Sequence, residues 1–169
     1  MMGLGEKSTL IREWREKTRR EIFDQPQRFM IQLYIATEER REIFTDGSKS
    51  SKHLCAGSAT VICLGKVVYA MAERLEEGST NNIAELKAII NALIYTFMNV
   101  SSSVVINSDS EYSIKAITGV NKVIANKELI KDAQLLMEWM GEIRLSHVKA
   151  HSGVGPNEMA DKFANVVAI

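Results

Sequence analysis

The sequence predicts an α/β domain in which a mixed β-sheet is flanked by helices, and three observations carry that expectation. Short runs rich in β-branched and apolar residues recur at 41–45, 55–64, 66–72, 104–107 and 143–148. Longer stretches with apolar residues at three- and four-residue spacing fall between and after them, at 82–98, 127–140 and 157–167. The runs at 55–64 and 66–72 meet tightly at Gly65, so the sheet should begin as an antiparallel meander before helices intervene.

The first forty residues read as an N-terminal extension, a helix plus linker that fits a docking helix, a connection from an upstream domain or, the favoured reading, packing on the main domain over 41–169. Ser8 caps a predicted helix through Ile22, with Leu10, Ile11, Trp14, Thr18 and Ile22 along one face, and Asp24-Gln25-Pro26 ends it. The apolar stretch 29–35 fits an edge strand or a short helix equally, since periodicity cannot decide at that length. The first strand of the main domain, Arg41-Glu42-Ile43-Phe44-Thr45, is closed by Asp46 before the turn-forming Gly47-Ser48. Ser79-Thr80-Asn81-Asn82 reads as a helix start, followed by the apolar series Leu86, Ile89, Ile90, Leu93, Ile94 and Phe97, which puts Glu85 in the first turn. Asp109 directly follows the β-branched run at 103–108 and opens a short helix, 110–118. Leu129, Ile130, Ala133, Leu136, Met137 and Met140 give the next helix its buried stripe. In the last helix, Asp161 shares a face with Asn157, Ala164 and Ala168, small neighbours that permit close approach.

At 169 residues and 46% hydrophobic, the chain can bury a full core without disulfides. Cys55 and Cys63 fall in one predicted strand, roughly 26 Å apart, so they cannot bridge each other within it, and a reduced compartment follows. No apolar stretch approaches the ~20 residues that a membrane-crossing helix needs, and the first residues lack a signal peptide's apolar core. A soluble, intracellular protein in the cytoplasm or nucleus is expected, with no membrane partner. Formal net charge is zero, which argues against tight capture of nucleic acid by phosphate neutralisation alone. Basic residues nevertheless outnumber acidic ones up to Arg41, and Lys49, Lys52, Lys115, Lys122, Lys127 and Lys149 could follow a phosphate backbone.

Asp46, Glu85, Asp109 and Asp161 thus each sit at an element end or on a small-residue helix face, as an α/β domain would need to gather carboxylates for metal ions. Each has a plain structural alternative: a turn at Asp46, a capping box from Asn82 to Glu85, an N-cap at Asp109 and a solvated helix face at Asp161. Their order and elements, together with the His151-Ser152-Gly153 loop, favour a functional set.

Thr45-Asp46-Gly47-Ser48, the segment 79–86, Ser108-Asp109-Ser110-Glu111-Tyr112, His151-Ser152-Gly153 and Asn157-Glu158-Met159-Ala160-Asp161 closely resemble the motifs of type 1 ribonuclease H, over about residues 41–168. The segment 148–153 looks most like ribonuclease H domains of retroelements. The resemblance implies a ribonuclease H-like fold with a five-stranded mixed sheet, and an endonuclease that cuts the RNA strand of RNA/DNA hybrids to leave 3′-hydroxyl and 5′-phosphate ends. It assigns Asp46, Glu85, Asp109 and Asp161 as catalytic metal ligands and His151 as a further catalytic residue in proton relay or product departure. Gly47, Ser48, Thr80, Asn81, Asn82 and Asn126 become substrate contacts, Thr80 and Asn126 at a DNA-strand phosphate and Asn81 and Asn82 in the minor groove. Hard oxygen ligands and a phosphodiester target imply two Mg2+ ions, replaceable by Mn2+.

Two positions depart from the family pattern. Gly78 stands where many relatives have Arg, and Ser50-Ser51-Lys52-His53-Leu54 replaces a common Asn-Pro-Gly stretch. There is also no tryptophan-rich basic protrusion between Tyr112 and Lys131, so weak intrinsic affinity is expected, with an attached or upstream reverse transcriptase as a partner that could supply the rest. Two other readings keep the fold: a DNA nuclease, and a catalytically silent connection domain of a reverse transcriptase.

Overall fold

The computed structural model describes residues 28–32, 41–52, 54–64, 66–99, 104–140, 143–150, 153 and 155–168. The expected helix at 8–22 lies outside the described residues. Six strands, β1 (Arg28–Gln32), β2 (Arg41–Lys49), β3 (Ala56–Leu64), β4 (Lys66–Arg74), β5 (Val104–Ser108) and β6 (Ile143–His147), form one sheet in the order β1-β4-β3-β2-β5-β6. The helices are α1 (Asn81–Asn99), α2 (Glu111–Ile117), α3 (Lys127–Met140) and α4 (Gly155–Val167). The expected five-stranded mixed sheet is β2 to β6: the β2-β3-β4 meander is antiparallel, whereas β5 joins β2 in parallel and β6 joins β5 in parallel. The undecided stretch at 29–35 contributes the edge strand β1, antiparallel to β4, which makes the sheet six-stranded.

Strand periodicity divides the core in two. Ile43, Ile62 and Ile106 face Leu86, Ile89, Leu93, Ile130, Ala133 and Leu136, so α1, α2 and α3 cover one side. Phe44, Ala59, Val61, Cys63, Ala70 and Ala72 face Ala160, Ala164 and Val167 of α4 on the other. Each large buried aliphatic side chain contributes about 1.5–3 kcal/mol from area removed from water. Polar anchors also fix α1: the Thr60 hydroxyl donates to the Ala88 carbonyl at 3.1 Å, and the Asn91 amide to Glu73 at 3.1 Å. Cys55 and Cys63 are free thiols. Among the described residues, no helix is long and apolar enough to cross a membrane.

Several expected boundaries move. β2 does not end at Asp46, because β3 pairs with it as far as Lys49 opposite Ala56. What ends there is the parallel ladder with β5, whose last pair is Thr45 with Ser108. α1 starts at Asn81, with the Thr80 hydroxyl accepting from the Ile83 N–H at 3.1 Å, so Glu85 lies in the second turn and no capping box joins it to Asn82. β4 runs on to Arg74, and α4 begins at Gly155.

Candidate metal centre

Asp46 occupies the central strand one residue beyond its last pairing with β5, on the face that carries Phe44 and meets α4. The next residue, Gly47, turns to the opposite face, where α1 crosses. A Cβ there would collide with backbone atoms of Ala84 and Glu85, lying only 2.8 Å from the Glu85 Cα. The missing side chain is what lets α1 lie against the strand and bring Glu85 beside Asp46. The Gly47 N–H donates to the Glu85 carboxylate, which ties the two elements at the site itself.

Asp109 leaves the end of β5 and completes the group. One oxygen from each of Asp46, Glu85 and Asp109 lies within 4.8 Å of the others. Asp109 does not cap α2, a task taken by Ser110, whose hydroxyl accepts from the Ser113 N–H at 3.2 Å. The His147 imidazole lies 3.3 Å from the Asp109 carbonyl oxygen and so braces this turn.

Asp161 reaches the same place from α4, on the sheet's other face, and its carboxyl hydrogen-bonds with that of Asp46. Its helix can come so close because of Gly57 on β3, opposite Ser48. A Cβ at Gly57 would strike the Ala164 carbonyl and lie 2.5 Å from Val167 Cγ2 and 3.0 Å from the Ala168 nitrogen. The four predicted acids therefore converge. Asp46, Glu85 and Asp109 do not serve the plain structural tasks that their local sequence also fitted, whereas Asp161 keeps part of a solvated helix face.

Electrostatics marks the centre as unsatisfied. Burial, then the Asp109 charge and the hydrogen bond and charge of Asp161, hold the Asp46 carboxyl far above the ordinary carboxylate range. Burial, then the Asp46 and Asp109 charges, push Glu85 higher still, with the Gly47 N–H pulling partly back. Glu85 Oε2 is buried with no hydrogen-bond partner, an orphan that protein interiors rarely tolerate. A hard divalent cation would satisfy all of this together: it supplies positive charge, binds carboxylate oxygens and fills the orphan's coordination. The donor set fits such an ion.

The predicted substrate residues fall around this centre in different ways. Thr80, Asn81 and Asn82 are exposed at the start of α1, one turn before Glu85. Ser48 is partly exposed on the Asp46 face, and its hydroxyl donates to the Asn165 side-chain oxygen. Asn126 adopts a left-handed backbone, φ 57°, at the start of α3, and its amide donates at 3.1 Å to the hydroxyl of Tyr112, three residues beyond Asp109. His151 lies outside the described residues. Sequence reasoning missed Asn165, which donates to Asp161 at 3.2 Å, and Gly57. The signals were present: Asn165 is one helical turn from Asp161, and a glycine inside a strand often marks a close approach.

Comparison with known proteins agrees with this layout. The family model for RNase H matches residues 38–169. The ribonuclease H of Tropheryma whipplei is 37% identical over 103 residues, 53% of this chain and 63% of that protein, so the chain spans just under two thirds of that relative's length. The ribonuclease H of Chromobacterium violaceum is 32% identical over 149 residues, covering 78% of this chain and 96% of that protein. Among solved structures, LC11-RNase H1, isolated from compost by a metagenomic approach and crystallised in complex with an RNA/DNA hybrid, superimposes with a TM-score of 0.65 at 26% identity, over 75% of this chain and 95% of its own. Since the matched region contains every strand and helix that builds the carboxylate centre, the chain belongs to the ribonuclease H family.

Proposed function

We propose that the protein is an endoribonuclease that hydrolyses the RNA strand of RNA/DNA hybrids, leaving 3′-hydroxyl and 5′-phosphate ends, with residues 41–169 as the catalytic domain and 1–40 as an extension whose Arg28–Gln32 adds an edge strand to that domain's sheet. The observation that carries this reading is the convergence of Asp46, Glu85 and Asp109 within 4.8 Å, with Asp161 against Asp46. Two Mg2+ ions, replaceable by Mn2+, would supply the missing charge, activate water at the phosphorus and stabilise the leaving oxygen. Asp46, placed between the other acids, would bridge both ions. Asp109 and Glu85 would serve the leaving-group side, and Asp161 the nucleophile side. His151 would relay a proton or assist product departure.

Substrate choice would rest on backbone shape and on the 2′-hydroxyl. The exposed Asn81 and Asn82 stand on the turn before Glu85, where side chains reaching from the acids into a hybrid's minor groove would start. Thr80 and Asn126 would hold a DNA-strand phosphate, with Ser48 lining the approach to the scissile bond and the buried Gly47 acting on substrate through the seat it gives α1. Zero net charge gives little long-range attraction. A tethered polymerase domain of the reverse transcriptase kind would raise the local hybrid concentration.

Uniformly labelled RNA in a hybrid, in duplex RNA and in single strands, alongside duplex DNA, tests the assignment. In Mg2+ only the hybrid's RNA should be cut, and Asp109→Asn should abolish the cutting. Equal cleavage of duplex DNA would show a DNA nuclease instead, and silence at high enzyme concentration would show a scaffold.

A further inference from the structure

The acid on α4 is set apart from the other three. Asp46, Glu85 and Asp109 rise from the sheet or from the helix docked on Gly47, whereas Asp161 projects from the opposite layer and is only partly buried. A partly exposed carboxylate loses rotamer freedom on binding a cation, so a neighbour that holds it in place helps the ion to bind. Besides Asp46, Asp161 touches Asn165, one turn further along α4, whose Nδ2 donates to Asp161 Oδ1 at 3.2 Å. Asn165 is in turn held by Ser48, whose hydroxyl donates to Asn165 Oδ1.

The polarity of this chain follows from chemistry. A carboxylate only accepts, so the amide must turn its NH2 toward Asp161, which leaves its oxygen to receive the Ser48 proton. Ser48 lies two residues beyond Asp46 on the same face of β2, and its strand partner is Gly57, the residue that seats α4. The relay therefore spans the junction between the strand bearing Asp46 and the helix bearing Asp161, through Ser48 and Asn165, which are 117 residues apart in sequence.

We propose that Ser48 and Asn165 are positioning residues that hold Asp161 toward Asp46 and thereby set the affinity of the divalent ion shared by those two acids. This rests on the reading of Asp161 as a metal ligand. Groups that orient a ligand in this way change metal affinity by roughly ten- to a hundredfold when removed. The role is separate from the substrate contact proposed above for Ser48, which would act on hybrid binding, and from a packing role, which would act on folding.

Mn2+ titration of the full chain without nucleic acid, by calorimetry, tests this, together with melting in EDTA and the KM for hybrid in saturating Mg2+. Asn165→Ala should weaken Mn2+ binding roughly tenfold and raise the Mg2+ concentration needed for half-maximal cleavage. Its melting temperature in EDTA and its KM should stay near those of the parent, because the side chain is exposed and Ala is a better helix former. Ser48→Ala should weaken Mn2+ binding in the same direction but less, and the double variant should bind Mn2+ no worse than Asn165→Ala alone. Parental Mn2+ affinity in Asn165→Ala, or a change confined to KM or to stability in EDTA, would overturn the proposal. Parental affinity in Asp161→Asn would instead overturn the metal-ligand reading beneath it.

Discussion

At the scale of single residues, what converts four ordinary acids into a centre is that neighbours perform the local structural tasks. Thr80 caps α1 and Ser110 caps α2, while β2 continues through Asp46 rather than turning there. Asp46, Glu85 and Asp109 are left facing one another. Replacing one of them with its amide keeps shape and removes like-charge repulsion. Asp109→Asn should therefore lower hybrid cleavage by more than about a hundredfold, yet raise stability in EDTA. Loss of both activity and stability would contradict the repulsion argument, and denaturant titration beside a cleavage assay reads both. The acids were legible because their motifs are local. Asn165 was not, since its role depends on a strand far away in sequence, and His151 lies outside the described residues.

At the scale of elements, two glycines set the site's dimensions from opposite faces: Gly47 seats α1 and Gly57 seats α4. A methyl group at either would meet backbone atoms or a buried valine, so the helix must shift. Gly47→Ala and Gly57→Ala should each cost about 1–3 kcal/mol by overpacking. Each should also cost activity out of proportion to stability, because a displacement near 1 Å can reduce rate about a hundredfold. Gly57→Ala should raise the Mg2+ requirement through Asp161, and Gly47→Ala should do so through Glu85. Parental kinetics in either variant would remove that glycine from the account. The helices and strands themselves were readable from periodicity, with 127–140 reproduced by α3. Their ends were less so: β2 and β4 run on because β3 pairs alongside them, a fact of partnership rather than composition.

For the whole molecule, the centre makes stability depend on pH and on cations together. Asp46 and Glu85 have folded-state pKa values raised above those of the unfolded chain, about 4. Between those limits the folded state binds more protons than the unfolded one, so without divalent ions stability falls as pH rises from about 4 across neutrality. Mg2+ replaces those protons, so its stabilising effect should grow with pH. Melting curves from pH 5 to 8, in EDTA and in Mg2+, should diverge steadily, and parallel curves would contradict a repelling quartet with Asp46 and Glu85 buried. The mixed sheet explains why the quartet exists in the first place. β2 lies between antiparallel β3 and parallel β5, and it outruns β5 just before Asp46, which opens a gap that helices on both faces can reach.

That convergence is best tested by anomalous diffraction from crystals grown with Mn2+. Two peaks roughly 3.5–4 Å apart are predicted, with Asp46 between them, Asp161 on one and Glu85 and Asp109 on the other. Peaks absent from this centre at saturating Mn2+, or bound elsewhere on the chain, would contradict the account.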